Sequence, residues 1–319
     1  MSNILFIKTS SLGDVIHHMP AVTEARRHFP DAHIAWVVEE GFAPLVALHP
    51  AVDEVIAVAS RRWRRVPALP STWREIGRFL QAVRATSYDT VIDSQGLFRS
   101  AVIARIARGR RHGYDTASVR ERAAAWLYDV HHRVDRSLHA VVRNRALTGL
   151  ALGYVPEGPP DYGLAPLRRA DQIGRTAVLL HGTARAEKEW RPESWRTVAE
   201  ALANRGYELV LPSGSEAEST RGSRIARGLP GVRMLDRQPL DSVARAIAGA
   251  AIVVGVDTGL LHLGAALGVP LVAIFVGASD PRLTGPLGSG PMEVLGADGK
   301  APTAPEVLAA VELLQPSPG

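Results

Sequence analysis

The sequence predicts an α/β protein built from two doubly wound, Rossmann-like domains. Short apolar runs alternate with helical patterns in both halves of the 319-residue chain, and a segment rich in proline and glycine, GYVPEGPPDYGLAP over 153–166, separates the halves. Apolar strands that alternate with helices are typical of βαβ units in a parallel sheet. A Pro/Gly-rich segment without helical periodicity is typical of a linker. We therefore predict domains over 1–166 and 167–319.

The elements follow in order along the chain. In the N-terminal half, the pattern predicts strands over 3–8, 32–39, 54–59 and 89–94, and helices over 15–27 and 71–86. In the C-terminal half, it predicts strands over 176–181, 207–212, 232–235, 251–256 and 271–276, and helices over 193–204, 216–228 and 240–250. The tail from Thr303 has a capping residue and leucine spacing for a last helix, which we expect to pack back on the N-terminal domain.

The composition narrows the class of protein. Hydrophobic residues make up 46% and charged residues 22% of the chain, which is ordinary for a globular protein. No apolar run approaches the roughly 20 residues that cross a bilayer, and signal-peptide features are lacking, so we expect a cytoplasmic protein. The absence of cysteine excludes disulfides, thiolate metal sites and cysteine nucleophiles.

The basic charge suggests an anionic partner. The formal net charge is +5, yet lysine occurs only at Lys8, Lys188 and Lys300, so the excess of arginine reflects a compositional bias as much as function. The sequence has no basic strand interleaved with aromatic residues and no recognition motif for nucleic acid. We therefore predict no nucleic-acid partner.

The segment VDTGLLHL is the clearest anion site in the C-terminal half. In an open parallel sheet, ligands bind beyond the carboxyl ends of the strands, where helix N-termini present free backbone N–H groups. A predicted strand ends at Val256, and Asp257, Thr258 and Gly259 form the turn before a helix. The amides of Thr258 and Gly259 can contact a phosphate oxygen, and His262 on the first turn could face the same ligand. The alternative is that Asp257 only caps the helix and His262 is a half-buried helix residue.

A second anion site is predicted in HGTARAEKEW, at 181–190, which also follows a strand. Backbone donors, the Thr183 hydroxyl and the Lys188 ammonium suit a pyrophosphate, although Lys188 could be a solvated loop residue. The P-loop and Rossmann glycine motifs are absent, as are an Asp-x-Asp pair and histidine clusters with ligand spacing. The residues therefore favour a nucleotide diphosphate that binds without a metal.

Several motifs together resemble a known family. KTSSLGDVIHHMPA (8–21), VVEEGF (37–42), RRWRR (61–65), DSQGL (93–97), HGTARAEKEW and VDTGLLHL resemble, in this order, the lipopolysaccharide heptosyltransferases of glycosyltransferase family 9. The resemblance covers nearly the whole chain. It implies a GT-B fold, in which two Rossmann-like domains face each other across a cleft, with the acceptor in the N-terminal and the donor in the C-terminal domain.

The resemblance also implies the reaction. The donor would be ADP-L-glycero-D-manno-heptose, and the acceptor would be the 5-hydroxyl of Kdo on Kdo-bearing lipid A, with inversion at the anomeric carbon and with neither metal nor cofactor. Two alternatives stay open. A type II heptosyltransferase is expected to carry a tryptophan in the stretch matching TSSLGD, so type I is favoured. A nucleotide-sugar epimerase of the same fold would act on the donor without any acceptor.

The N-terminal motif would supply the catalytic group. By the resemblance, Asp14 is the general base that removes the acceptor proton, since a single displacement needs one carboxylate and no protein nucleophile. Gly13 would let the sugar approach the backbone, and Ser10 and Ser11 would hydrogen-bond it. A helix N-terminus lowers the pKa of Asp14, whereas desolvation raises it, so the two effects compete. The alternative is that Asp14 only caps the helix.

The resemblance assigns a set of polar C-terminal residues to the donor diphosphate and heptose: Thr183, Lys188, Asp257, Thr258, Gly259 and His262. Glu218 would contact the nucleotide ribose. The chain departs from the family pattern at Ala184 and Gln238, where adenine contacts are expected.

The acceptor side would be basic. The candidates are Arg61, Arg62, Trp63, Arg64, Arg120 and His139. Guanidinium groups bind carboxylates and phosphates bidentately, and Trp63 can lie against a sugar or acyl face. The alternative is a solvated basic surface. Basic residues near the site would also draw the protein to an anionic membrane, at about 1 kcal/mol per residue close to the surface, so we expect peripheral contact with the inner membrane.

Overall fold

The computed structural model describes residues 2–183, 185–277, 280–296 and 299–315. It divides into two compact units, Met1–Gly163 and Leu164–Gly319. Each unit contains one six-stranded sheet in which all neighbouring strands are parallel. The α/β class and the doubly wound sheets predicted from the sequence are confirmed.

The first unit contains strands β1 (Asn3–Ile7), β2 (His33–Glu39), β3 (Glu54–Val58), β4 (Ser87–Asp93), β5 (Arg108–Tyr114) and β6 (Val130–His132). Its helices are α1 (Leu12–Ile16), α2 (Met19–His28), α3 (Ala43–Val46), α4 (Ser60–Trp63), α5 (Pro70–Ala85), α6 (Phe98–Ile106), α7 (Arg122–Ala125) and α8 (Ala140–Leu152). The second unit contains β7 (Thr176–Leu180), β8 (Glu208–Ser213), β9 (Val232–Asp236), β10 (Ile252–Val256), β11 (Leu271–Ile274) and β12 (Met292–Leu295). Its helices are α9 (Pro192–Asn204), α10 (Glu216–Ala226), α11 (Leu240–Ala248), α12 (Gly259–Ala266), α13 (Pro281–Thr284) and α14 (Ala304–Leu314).

Both sheets have the same strand order. It is β3-β2-β1-β4-β5-β6 in the first unit and β9-β8-β7-β10-β11-β12 in the second. In this doubly wound arrangement the winding reverses between the first and fourth strands of the unit, and ligands bind at that switch point beyond the carboxyl ends of the strands. The loops after β1 and β4, and those after β7 and β10, are therefore where functional sites are expected.

Buried apolar strands form the centre of each sheet. Leu5 of β1 pairs with Ala35 of β2 and with Val91 of β4, and all three side chains are buried. In the second unit every residue of β10 is buried, and Val254 pairs with Leu179 of β7. Continuous apolar runs are expected for parallel strands, because helices cover both faces of the sheet.

Three strands, β5, β6 and β12, are missing from the sequence prediction. β5 reads RGRRHGY and β6 reads VHH, so neither shows the apolar pattern of a central strand. The predicted helix over 15–27 is instead α1 and α2, separated at His17 and His18. Pro20 lies in the first turn of α2, where its missing N–H is tolerated, whereas it would interrupt one continuous helix.

The last helix is confirmed, and its apolar face is buried within the second unit. The Thr303 hydroxyl and the Glu306 carboxylate cap its N-terminus reciprocally, and Val307 and Val311 belong to the core of the unit. A return of α14 to the N-terminal domain is therefore not needed to bury this face. In the part of the chain that the structure describes, no helix has the length and apolar character of a membrane span.

Candidate active site

In the first unit, the two loops at the switch point are tied together. Gln95, after β4, accepts hydrogen bonds through Oε1 from the backbone N–H groups of Thr9 and Ser10, after β1, at 3.1 Å each. The buried carboxylate of Asp93 accepts from the backbone N–H of Gln95 at 2.9 Å and so orients that loop. The segment from Thr9 to Ser11 is consequently fixed where an acceptor is expected.

Asp14 lies in the first turn of α1, which follows directly. Its Oδ2 accepts hydrogen bonds from the backbone N–H of Ser11 at 2.9 Å and from the Ser11 hydroxyl at 3.1 Å. The Arg120 guanidinium is 3.6 Å away, and the Asp14 side chain keeps 24% of its surface exposed. The capping and catalytic roles are thus geometrically compatible, because the capped carboxylate still reaches solvent.

Neighbouring charged residues determine the protonation state of the Asp14 carboxyl. Burial alone would raise its pKa, but the charges of Lys8 and Arg120 and the hydrogen bonds from Ser11 outweigh burial, so the pKa of Asp14 lies below its ordinary value. The net shift of the Asp14 pKa is therefore downward, although the sequence analysis could not decide between the two opposing effects. Asp14 is therefore an anion at neutral pH and is able to accept a proton.

Lys8 is a site residue that the sequence analysis did not assign. It is 5% exposed, and its Nζ donates to the Ser94 carbonyl oxygen at 2.8 Å and to Asn144 Oδ1 at 3.3 Å. Burial lowers the pKa of Lys8 to about 8, although the negative charge of Asp14 opposes the shift. The sequence did contain one indication of a role for Lys8, since lysine is rare in this chain.

The two serines and the glycine of the motif differ in accessibility. Ser11 is exposed, whereas Ser10 is 5% exposed and its Oγ accepts a hydrogen bond of 2.9 Å from Arg99. Gly13 is buried within α1, so in this structure its backbone is not presented to a sugar as the sequence analysis expects. Arg99 and Gln95 were also missed, because their contacts join loops that are far apart in sequence.

The predicted arginine cluster lies on and next to α4. Arg62 pairs with Glu40 at 2.9 Å and with Glu75 at 2.8 Å, which engages its guanidinium. Arg61 lies over the Phe42 ring at 5.4 Å. All three arginines, Arg61, Arg62 and Arg64, are exposed, and the two glutamate partners of Arg62 leave it less available to an anionic acceptor than Arg61 and Arg64.

Trp63 and His139 sit in different surroundings. Trp63 is partly buried, donates through Nε1 to Glu75 at 2.8 Å and packs edge-on against Phe79. His139 caps α8, and its ring lies 5.4 Å from that of His17, which follows α1. His139 therefore lies at the C-terminal end of α1, whereas Asp14 lies in its first turn. Trp63 lines a cavity next to α4 and α5.

In the second unit, the switch point collects most of the predicted donor residues. Lys188 Nζ is 2.6 Å from Asp257 Oδ2, and the Thr183 hydroxyl donates to the Asp257 carbonyl oxygen at 3.2 Å. Thr258 is the N-cap of α12, whose first residue is Gly259. A cation, a hydroxyl and a helix N-terminus therefore converge here, which suits a diphosphate.

His262 and Glu218 complete this end of the second sheet. His262 is buried on α12, with Nε2 3.9 Å from Asp257 Oδ1. Glu218, on α10, accepts from the backbone N–H of Gly214 at 2.7 Å. A Cβ at Gly182 would lie 2.6 Å from the Glu218 carboxyl carbon, so a side chain there would require Glu218 to move.

Two positions, Gln238 and Ala184, are where the chain departs from the family pattern. Gln238 is exposed, and its side-chain amide donates weakly to the Asp236 carbonyl oxygen at 3.4 Å. Ala184 lies outside the described residues.

Across 2–183, 185–277, 280–296 and 299–315, no three His, Asp or Glu side chains are grouped to hold a metal ion. Independence from a metal stays a prediction.

Two parallel six-stranded α/β units of the same strand order have the architecture of GT-B type glycosyltransferases. The family model for glycosyltransferase family 9 (heptosyltransferase) matches residues 76–308. Lipopolysaccharide heptosyltransferase 1 of Escherichia coli (strain K12) is 42% identical over 294 residues, which cover 91% of this chain and 92% of the relative. The protein of the same name from Pseudomonas aeruginosa is 45% identical over 291 residues, covering 89% and 81%. The chain belongs to glycosyltransferase family 9, the heptosyltransferases, and is a transferase.

Solved structures of heptosyltransferases are similar to this chain in sequence and fold. E. coli heptosyltransferase WaaC with ADP is 40% identical, with a TM-score of 0.90. The same enzyme with ADP-2-deoxy-2-fluoro heptose is 39% identical, with a TM-score of 0.86, and both matches cover 98% of this chain and 99% of that one. E. coli ADP-heptose lps heptosyltransferase II is 24% identical, with a TM-score of 0.76 over 98% of each chain, and shows the fold alone. The resemblance to the family and the preference for type I are confirmed.

Proposed function

We propose that this chain is an inverting, type I heptosyltransferase of lipopolysaccharide inner-core biosynthesis. It moves L-glycero-D-manno-heptose from ADP-heptose to the 5-hydroxyl of Kdo on Kdo-bearing lipid A. The names of its relatives and the heptose analogue in the WaaC structure support these substrates. The observation that carries the proposal is the Asp14 carboxylate, which Ser11, Lys8 and Arg120 keep ionised at the switch point.

Asp14 acts as the general base. The acceptor oxygen attacks the anomeric carbon, the bond from that carbon to the ADP oxygen breaks on the opposite face, and the acceptor proton passes to Asp14. The lowered pKa makes Asp14 a weak base toward a free hydroxyl. The proton becomes acidic as the new bond forms, so transfer to an ionised carboxylate is favourable at that moment.

Charged side chains around Asp14 orient the acceptor. Arg120 is half exposed beside the carboxylate and can pair with the Kdo carboxylate. The hydroxyl of Ser11 and the guanidinium of Arg99 offer further hydrogen bonds at the same edge of the sheet. Arg61, Arg64 and His139 are proposed to contact outer parts of the acceptor, whereas Arg62 contributes less because two glutamates already hold it.

The second unit binds the donor. Lys188 has three N–H donors, so its ammonium can keep one on Asp257 and give another to a phosphate oxygen. The backbone N–H groups at the start of α12 and the hydroxyls of Thr183 and Thr258 take the remaining charge of the diphosphate. His262 is proposed to face the heptose and Glu218 the ribose, at the positions described above.

The reaction places the protein at the cytoplasmic side of the inner membrane, to which we propose it binds peripherally. Exposed arginines of the α4 region supply the attraction. Flotation with vesicles that contain phosphatidylglycerol tests this contact. We expect binding that weakens with salt, and equal recovery with neutral vesicles would contradict it.

The test of the function is product analysis with purified protein. ADP-heptose and Kdo-bearing lipid A should yield a heptosylated lipid whose new linkage is inverted relative to the donor. Donor alone should remain unchanged. An isomerised nucleotide sugar in that control would favour the epimerase, and heptose transfer only to an acceptor that already carries one heptose would favour the type II reaction.

A further inference from the structure

An apolar cavity lies between α4, α5 and α6 of the first unit. It has an inner part of about 220 Å³ and an outer part of about 430 Å³. Ser60, Trp63, Ile76 and Arg99 line both parts, so the two adjoin. The outer part alone falls within the range of roughly 300–1,000 Å³ that is typical of small-molecule sites.

The lining is apolar with a basic edge. Val58, Phe79, Leu80 and Ile103 line the inner part, and Pro67 and Trp73 line the outer part. The charged residues of the lining are Arg64 and Arg99, both cationic. A lining of this kind suits a ligand that joins a hydrocarbon chain to an anionic group.

The mouth of the cavity exposes apolar side chains. Trp73 is 65%, Leu69 49% and Val66 37% exposed. Residues 60–74 contain five arginines and neither aspartate nor glutamate. Exposed apolar groups inside a cationic segment mark an interaction site and are complementary to an anionic amphiphile.

The inner end of the cavity reaches the loop that leads from β1 to α1. Thr9 lines the inner part, and Arg99 donates from its guanidinium to the Ser10 hydroxyl at 2.9 Å. One guanidinium therefore joins the cavity to the loop that fixes the acceptor. A ligand held in the cavity would extend from the acceptor site.

We infer that this cavity binds an acyl chain of the anionic acceptor lipid, with Arg64 and Arg99 facing the polar groups of that lipid. The inference rests on the proposed function and assigns the site a role beyond sugar recognition. Binding the chain here would anchor the acceptor through a part of the molecule that takes no part in the chemistry, which lowers KM without changing kcat.

Decyl phosphate, kept below its micellar concentration, is the direct probe. Calorimetry should show that the wild type binds it at least about tenfold more tightly than inorganic phosphate, as expected when an alkyl chain enters an apolar pocket. Ile76→Trp, which fills the shared part of the cavity, should abolish this preference. Trp73→Ala should weaken it without filling the cavity. Trp126→Ala, at a 79% exposed tryptophan outside the lining, is the matched control and should bind as the wild type does.

Kinetics with two acceptors identify the source of the chain. Ile76→Trp should raise KM for acylated Kdo-lipid A about tenfold or more and leave KM and kcat for the fully de-acylated acceptor unchanged. Equal effects of Ile76→Trp and Trp126→Ala on every readout would overturn the inference. Loss of binding to phosphatidylglycerol vesicles with unchanged KM would also overturn it, because the cavity would then hold a membrane lipid.

The same design separates this inference from the proposed function. If the wild type transfers heptose to neither acceptor, the proposed function fails, while calorimetry with decyl phosphate still reports on the cavity. If transfer to the de-acylated acceptor proceeds but the variants behave alike, the function stands and the cavity assignment fails.

Discussion

The two switch points occupy equivalent places in two sheets of the same strand order, yet their charges are compensated differently. Asp14 has two cations in its surroundings, Lys8 and Arg120, so positive charge exceeds negative charge there. At the other point, Lys188 Nζ is 2.6 Å from Asp257 Oδ2, and His262 Nε2 is 3.9 Å from Asp257 Oδ1. The first arrangement keeps the Asp14 carboxylate ionised, and the second holds a cation where we propose that the diphosphate binds. Shared topology sets the location of a site, and its chemistry comes from the side chains.

The two lysines show the same contrast. Lys8 is 5% exposed, and its ammonium donates to an amide oxygen and a carbonyl oxygen, so its charge is buried. Lys188 keeps 19% of its side chain exposed and pairs with a carboxylate. We propose that the buried Lys8 keeps Asp14 ionised and that the more accessible Lys188 binds the donor. Substitution of each lysine tests its role separately.

The largest effect is expected from Asp14→Asn. The amide keeps the size and much of the local hydrogen bonding of the carboxylate but cannot accept the acceptor proton. We expect kcat to fall by about 10²–10⁴-fold, the usual contribution of a general base, with ADP affinity unchanged. Steady-state kinetics and ADP calorimetry provide the measurement. Asp135→Asn, at an exposed carboxylate that accepts from the Ser137 backbone, is the control. A wild-type kcat in Asp14→Asn would show that Asp14 only caps α1.

The next largest effect is expected from Lys188→Met at the second switch point, where it should raise the KM for the donor. A hydrogen bond to a charged group contributes about 1.5–3 kcal/mol, so donor KM should rise by roughly 10- to 100-fold. Removing the ammonium also leaves the Asp257 carboxylate near the diphosphate, which adds repulsion. Initial rates over a range of donor concentrations measure the change, with Lys300→Met as control. A fall in kcat at constant donor KM would contradict the role in ground-state binding.

The sequence predicted most of the strands and grouped several candidate site residues that lie close together in the structure. Residues within one motif, such as Ser11 with Asp14, or at strand ends, such as Lys188 with Asp257, could be grouped because short spacing and parallel topology bring them together. The strand β5 could not be predicted, because its arginine-rich sequence lacks an apolar pattern and its place depends on pairing with β4. Arg99 could not be predicted either, because its bond to Ser10 spans 89 positions.

A smaller effect, on pH dependence, is expected from Lys8→Met. The charge of Lys8 lowers the pKa of Asp14, so its removal should raise that pKa and move the acidic limb of kcat/KM to higher pH. A merely structural role would reduce kcat/KM equally at every pH. Profiles of kcat/KM against pH distinguish the two. Asn144→Ala removes an acceptor of the Lys8 ammonium but not its charge, so it should leave the acidic limb in place.

The pH dependence of the free energy of unfolding is an independent test of the lowered pKa of Lys8. The pKa of Lys8 is about 8 in the folded protein, against an ordinary value of 10.5. Between these values the unfolded chain binds a proton that the folded chain has released, so wild-type stability rises with pH across this window relative to Lys8→Met. Denaturant unfolding at several pH values measures the difference. A constant difference would show that the pKa of Lys8 is not lowered by burial.

The smallest effect is expected from removing divalent metal. A diphosphate needs compensating positive charge, and Lys188 with the N-terminus of α12 can supply it at the second switch point. The described part of the chain offers no group of three His, Asp or Glu side chains as an alternative. We therefore expect kcat and donor KM to be unchanged by EDTA in wild type. In Lys188→Met, added Mg²⁺ should restore little, because the described residues offer no such group to hold the ion on the phosphates. A loss of activity in EDTA that Mg²⁺ reverses would mean that the donor brings its own cation, and that Lys188 with the N-terminus of α12 does not compensate the diphosphate alone.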